Sequence, residues 1–193
     1  AYEASDILRH LQATESFTKR IAEPIDAPSL EEFLQECAEK MQDFSGYDRV
    51  MVYRFLPDWS GEIMAEATQE GTPVRFLGQR FPASDIPPQA RELYLRNRLR
   101  VLADINAVPD SLIPEHLPDG RVLDQSLGLL RSMSRAHMSY LKNMCVESTL
   151  TISIIVDNEL WGMIACHHND RLVPPDHVVQ TMRSASELLS RVI

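Results

Sequence analysis

Cysteine is scarce in this chain. Cys37, Cys145 and Cys166 are odd in number and follow no metal-like spacing, so a reducing cytoplasm is the simplest compartment. No block of basic residues occurs and the formal net charge is −9, which excludes the positive footprint that nucleic acid requires. No apolar run approaches the length of a membrane span, which argues against a membrane partner. The N-terminus carries Glu3 and Asp6 without an apolar core, so no targeting segment is expected. Internal repeats and low-complexity segments are also missing. What remains is 193 residues at 44% hydrophobic, enough for one domain with a real core.

Periodicity predicts an amphipathic helix over 5–21, with Ile7, Leu11, Thr14, Thr18 and Ile21 on one stripe, followed by a proline-bounded linker. Ser29-Leu-Glu-Glu32 is a capping box opening a helix to about Asp43. Strands are expected at Tyr47–Leu56, Glu62–Thr68 and Val101–Ile105. The stretch 71–83 reads as irregular, and 106–120, with its prolines and a Pro-Asp-Gly turn, as a long loop. Short helices around 125–132 and 136–145 precede a hairpin of 149–156 with 160–168, and a last helix covers 176–193. Helices flanking antiparallel strands make an α+β domain. The organisation is a helix and linker (1–25), a central domain (26–175) and a C-terminal helix leading onward (176–193).

Three stretches carry chemistry. In Arg80-Phe-Pro-Ala-Ser-Asp-Ile-Pro-Pro88, Ser84 and Asp85 are N-cap types and the prolines suit a first helical turn. In Ser134–Met144, His137 and Tyr140 are three apart and share a helix face. In Leu160–His168, alternation puts Cys166 and His167 on opposite faces, so Cys166-His167-His168 cannot chelate together from a regular strand. Thr149, Thr151 and Ser153 form a hydroxyl row opposite the apolar Leu150, Ile152, Ile154 and Val156, fitting either a solvent face or a ligand floor.

These motifs, in this order, resemble the bilin-binding GAF domain of phytochromes over about residues 29–193. The resemblance implies a central antiparallel sheet with helices on one face and a bilin cleft on the other. It implies that a linear tetrapyrrole sits there, biliverdin before a phycocyanobilin-type pigment. The Asp85 carbonyl and a water shared with His137 would accept from the ring nitrogens, with Tyr140 near the D ring and His167 at its carbonyl. Met51, Tyr53, Phe81, Ile86 and Tyr94 would give apolar walls. Arg100 and Arg131 match the propionate-binding arginines, whose planar forks suit carboxylates, and Thr149 and Thr151 match hydroxyls at the other propionate. The function implied is light sensing in a red/far-red photoreceptor without substrate turnover, coupled to PHY-type and histidine-kinase-type output domains.

Departures narrow the branch. Ala136 stands where plant and cyanobacterial phytochromes carry the thioether cysteine, so the likeness is to bacteriophytochromes, whose thiol lies in an N-terminal extension not found in this sequence. Cys145 stands where relatives usually have glycine. For His167 to share the cleft with Thr149, the hairpin needs an odd offset, expected from a three-residue turn Asp157-Asn-Glu159; a two-residue turn would pair Thr149 with Cys166. Competing readings are a GAF domain for a cyclic nucleotide or haem, or a dimerisation module, and an enzyme with Cys145 or Cys166 as nucleophile. Val178, Met182, Ala185, Leu189 and Val192 recur as a heptad seam, which predicts a weak parallel homodimer.

Overall fold

Ser29 stops the chain in an extended conformation and its side chain accepts from the Glu32 N–H at 3.2 Å, which starts the helix the capping box predicts. In the computed structural model this helix, α1, runs Leu30–Ser45 and ends on Gly46, whose φ of 74° is a left-handed cap. The structure describes residues 29–193 except 73 and 130, and in the first 28 only Leu8, Leu11, Gln12, Glu15, Ser16 and Lys19, which are helical and exposed. The predicted stripe over 5–21 otherwise lies outside the described residues.

Strands β1 (Arg49–Phe55), β2 (Gly61–Thr68), β3 (Arg80–Phe81), β4 (Leu99–Leu102), β5 (Ser148–Val156) and β6 (Glu159–His168) follow, with α2 (Pro88–Arg96), α3 (Arg135–Asn143) and α4 (Asp176–Val192). They form one antiparallel sheet in the order β3-β2-β1-β6-β5-β4. Alternation sorts its two faces. Val50, Val52, Ala65, Leu150, Ile152, Ile154, Ile164 and Cys166 bury one face under α1 and α4. Met51, Tyr53, Phe55, Ile63 and Met163 line the other face. This is the predicted α+β architecture.

Four expectations need correction. The stretch 125–132 is not helical where it is described: the Asp124 carboxylate accepts from the Ser126 N–H at 2.8 Å, an Asx turn that competes with helix. Ser84 and Asp85 do not cap α2. They form a 3-10 turn, Ala83–Asp85, and the helix starts after Pro87 with Pro88 at its first position. The fourth strand lies at Leu99–Leu102, earlier than expected. The heptad residues of α4 are in the core: Val178, Met182, Ala185 and Leu189 are at most 2% exposed, with Val192 packed beside them. The Ser186 hydroxyl donates to the Ser153 carbonyl and the Ile155 N–H to Ser190 Oγ, tying α4 to β5. The homodimer expected from that seam therefore loses its support, because the sheet already covers it.

Candidate functional site

The hairpin decides what His167 can face. Asp157 and Asn158 both take left-handed φ, 51° and 65°, so the turn has two residues, not the three expected. The odd offset arises elsewhere. Ile154 pairs with Gly162 but Ile155 with Leu160, so Trp161 is an extra residue in β6. That bulge restores the pairing of Thr149 with His167. Thr149, Thr151, Ala165 and His167 then join Met51 and Tyr53 on the face away from α1 and α4, as lining of one cavity of about 350 Å³.

Over this floor lie the 3-10 turn, α2 and α3. Ser134 caps α3 by accepting from the His137 N–H at 3.3 Å. His137 and Tyr140 stack with ring centroids 6.3 Å apart and both line the cavity. Asp85 and Ile86 reach it from the turn and Tyr94 from α2. Phe81 and Tyr53 pack at one end with centroids 6.3 Å apart. Arg100 reaches the cavity from β4 and donates to the Ser132 carbonyl at 3.3 Å. Of the residues matched to the bilin site, Arg131 is the one not on the wall, and Ser153 of the hydroxyl row is off it as well, its hydroxyl donating to the Tyr94 carbonyl at 2.8 Å. Arg131 is close enough to Arg100 and Tyr94 for its charge to act on both.

Residues not singled out in advance include Ile63, Met163 and Ala165, which the strand alternation that places Met51 and His167 could have found. Phe76 carried no signal. It is held by tertiary contacts: the Arg49 guanidinium lies 4.3 Å from its ring centroid, and Glu66 Oε2 accepts from its N–H at 2.9 Å. Arg49 and Glu66 form a buried ion pair at 3.1 Å behind it.

Burial controls the protonation states. It pushes the His137 imidazole down to about 4, helped by the charge of Arg100. It pushes His167 down to about 3, helped by Arg49 and His137. Both imidazoles are neutral at neutral pH, so each holds one donor and one acceptor. Burial, with Asp85 and Tyr140 nearby, raises the Tyr53 phenol to about 12. Arg100 is lowered by burial and by Arg131, with Tyr94 opposing.

Four buried polar atoms of the cavity residues have no hydrogen-bond partner among the described residues: Tyr53 Oη, Arg100 Nε, Thr149 Oγ1 and His167 Nδ1. Orphaned buried groups are costly, and the wall combines apolar and aromatic side chains with an arginine, two imidazoles and two threonine hydroxyls, the mixture of a ligand pocket. Thiols are elsewhere. No cysteine lines the cavity, and Cys166 is fully buried on the helix side, where burial pushes its thiol up. His168 sits at the sheet end, its Nδ1 3.0 Å from Asp48 Oδ2, and no His/Cys/Asp/Glu cluster able to hold a metal occurs among the described residues.

The GAF domain family model matches residues 29–193. The chain is 41% identical over 167 residues to a bacteriophytochrome of Xanthomonas campestris pv. campestris, covering 86% of this chain and 26% of that protein. It is 40% identical over 161 residues to a bacteriophytochrome of Pseudomonas aeruginosa, covering 83% and 22%. The chain thus spans about a quarter of the length of these curated relatives. Its backbone matches the chromophore binding domain of Stigmatella aurantiaca phytochrome P1 with a TM-score of 0.88 at 35% identity, over 100% of this chain and 62% of that one. It matches the chromophore-binding domain of an unusual bacteriophytochrome from R. palustris with a TM-score of 0.86 at 34% identity, over 98% and 61%. With a family match running through every strand and helix of the sheet and its cleft, the chain belongs to the GAF domain family.

Proposed function

We propose that the cleft binds a linear tetrapyrrole, biliverdin in the first instance, and that the domain is the light-sensing module of a red/far-red photoreceptor in the cytoplasm. The observation that carries this reading is that Asp85, Arg100, His137, Tyr140, Thr149 and His167, from five different elements, line one cavity of about 350 Å³. The phytochrome relatives support it. Arg100 and the Thr149 and Thr151 hydroxyls offer a cation and two donors for propionates. Neutral His137 and the Asp85 carbonyl offer acceptors for pyrrole N–H groups. Met51, Phe81, Ile86 and Tyr94 exclude water from the flat faces. Arg131, off the wall but near enough to act on Arg100, adds a second positive charge for a propionate.

The bound pigment would supply photoisomerisation between its C and D rings, chemistry that belongs to the cofactor. The protein's share is shape, proton placement and dryness, so the domain turns over no substrate. Attachment is non-covalent within this chain, since Ala136 lines the cavity and no cysteine does. The readout passes to PHY-type and kinase-type output domains in a longer protein, in keeping with relatives of which the matched stretch is 26% and 22%.

Mixing the purified protein with biliverdin and recording spectra before and after red light tests the proposal. A shifted, intensified red band that changes reversibly on illumination is the expected result. An unperturbed biliverdin spectrum overturns it. A denatured protein band that fluoresces with zinc would overturn the non-covalent assignment.

A further inference from the structure

Gly61, at the start of β2, is buried, and its φ lies outside the left-handed region, so backbone conformation does not demand glycine there. Space does. A Cβ on Gly61 would fall inside the Tyr53 ring, against Cζ, Oη and Cε1. The hydroxyl end of the Tyr53 ring therefore occupies the space that a side chain at Gly61 would need. A second glycine serves the same residue from the other neighbouring strand: a Cβ on Gly162 of β6 would overlap the Tyr53 carbonyl oxygen. The β1–β2 register also shifts between Val52 and Tyr53. Phe55 flanks the Tyr53 ring at 5.1 Å between centroids, and Phe81 at 6.3 Å. Tyr53 also lines the cavity, so a ring pushed off Gly61 has the cavity to move into.

We propose that Gly61 is a positioning residue that sets the room at the Tyr53 end of the cleft: without a side chain it lets Tyr53 lie aside, and any larger residue turns that ring into the space the ligand needs. This rests on the tetrapyrrole reading of the cleft. Gly162, likewise without a side chain, lets the Tyr53 backbone pack close against β6.

The test is a double-mutant cycle on wild type, Gly61→Ala, Tyr53→Ala and the double variant. Each is titrated with biliverdin, and each is melted without ligand. Gly61→Ala should weaken binding by about ten- to a hundredfold, the range overpacking produces. In the Tyr53→Ala background the same change should act within about twofold, and the loss of melting temperature should vanish with it. If Gly61→Ala does not fold, recovery of a folded double variant supports the proposal and failure to recover overturns it. Equal losses in both backgrounds, or none in either, overturn it as well. Absence of biliverdin binding by wild type would instead defeat the tetrapyrrole reading, and the ligand-free melting cycle would still decide the Gly61–Tyr53 contact.

Discussion

Thr149 and His167 stand opposite each other on β5 and β6, each with a buried polar atom that has no hydrogen-bond partner among the described residues. Burying such groups in the wall of a site gives up stability. Thr149→Val keeps the shape and removes the orphan hydroxyl. It should stabilise the ligand-free protein by about 1 kcal/mol, or about 2–4 °C in melting temperature, and weaken biliverdin binding. Scanning calorimetry and a biliverdin titration of the same variant check both halves. A less stable empty protein that binds biliverdin as well as wild type would contradict them.

Stability should depend on pH through the two cleft imidazoles. In the folded chain His137 titrates near 4 and His167 near 3, against about 6.5 in an unfolded one. Between those values the unfolded state binds more protons, so the free energy of unfolding rises with pH. The contribution is complete above about pH 6.5 and is lost as pH falls through about 4 and then 3. Melting curves of the ligand-free protein from pH 7 to 4 should fall more steeply for wild type than for His137→Gln or His167→Gln.

Cys145 has a φ of 56° just past the end of α3, where its N–H donates to the Lys142 carbonyl at 3.0 Å and the Val146 N–H to the Leu141 carbonyl at 3.0 Å. A side chain in this left-handed position costs about 1 kcal/mol relative to glycine. Cys145→Gly should raise the melting temperature by about 2–4 °C without altering the cleft, since Cys145 does not line it. An unchanged or lower melting temperature would show that the cap is not strained.

Leu189 decides between a seam and a core. It is fully buried against the sheet, so Leu189→Ala should cost about 2–5 kcal/mol, and Leu189→Glu should leave the protein unfolded. A folded Leu189→Glu variant with only its association changed, read by circular dichroism and light scattering, would restore the seam.

The amino-acid pattern by itself determined most of the elements and which of their residues share a face. Ser29 and Glu32 announce α1, alternation separates Leu150 and Ile152 from Thr149 and Thr151, and a three-residue spacing puts His137 and Tyr140 on one helix face. These are local relations, governed by dihedral angles and by periods of 2 and 3.6. What brings Thr149 opposite His167 is not local in this sense. The two-residue turn at Asp157-Asn158 would have sent His167 to the other face, and only the extra residue at Trp161, read against its partner strand, corrects the register. The heptad spacing of α4 fits a dimer seam and a sheet-covering helix equally, because both need the same stripe; the presence of the sheet settled it. The capture of Phe76 by Arg49 and Glu66, the withdrawal of Arg131 from the wall and the bed that Gly61 makes for Tyr53 join residues far apart in the chain or depend on which way a ring leans. Tertiary structure decided these, because packing in a dense interior depends on which surfaces meet, and no period in the sequence encodes that.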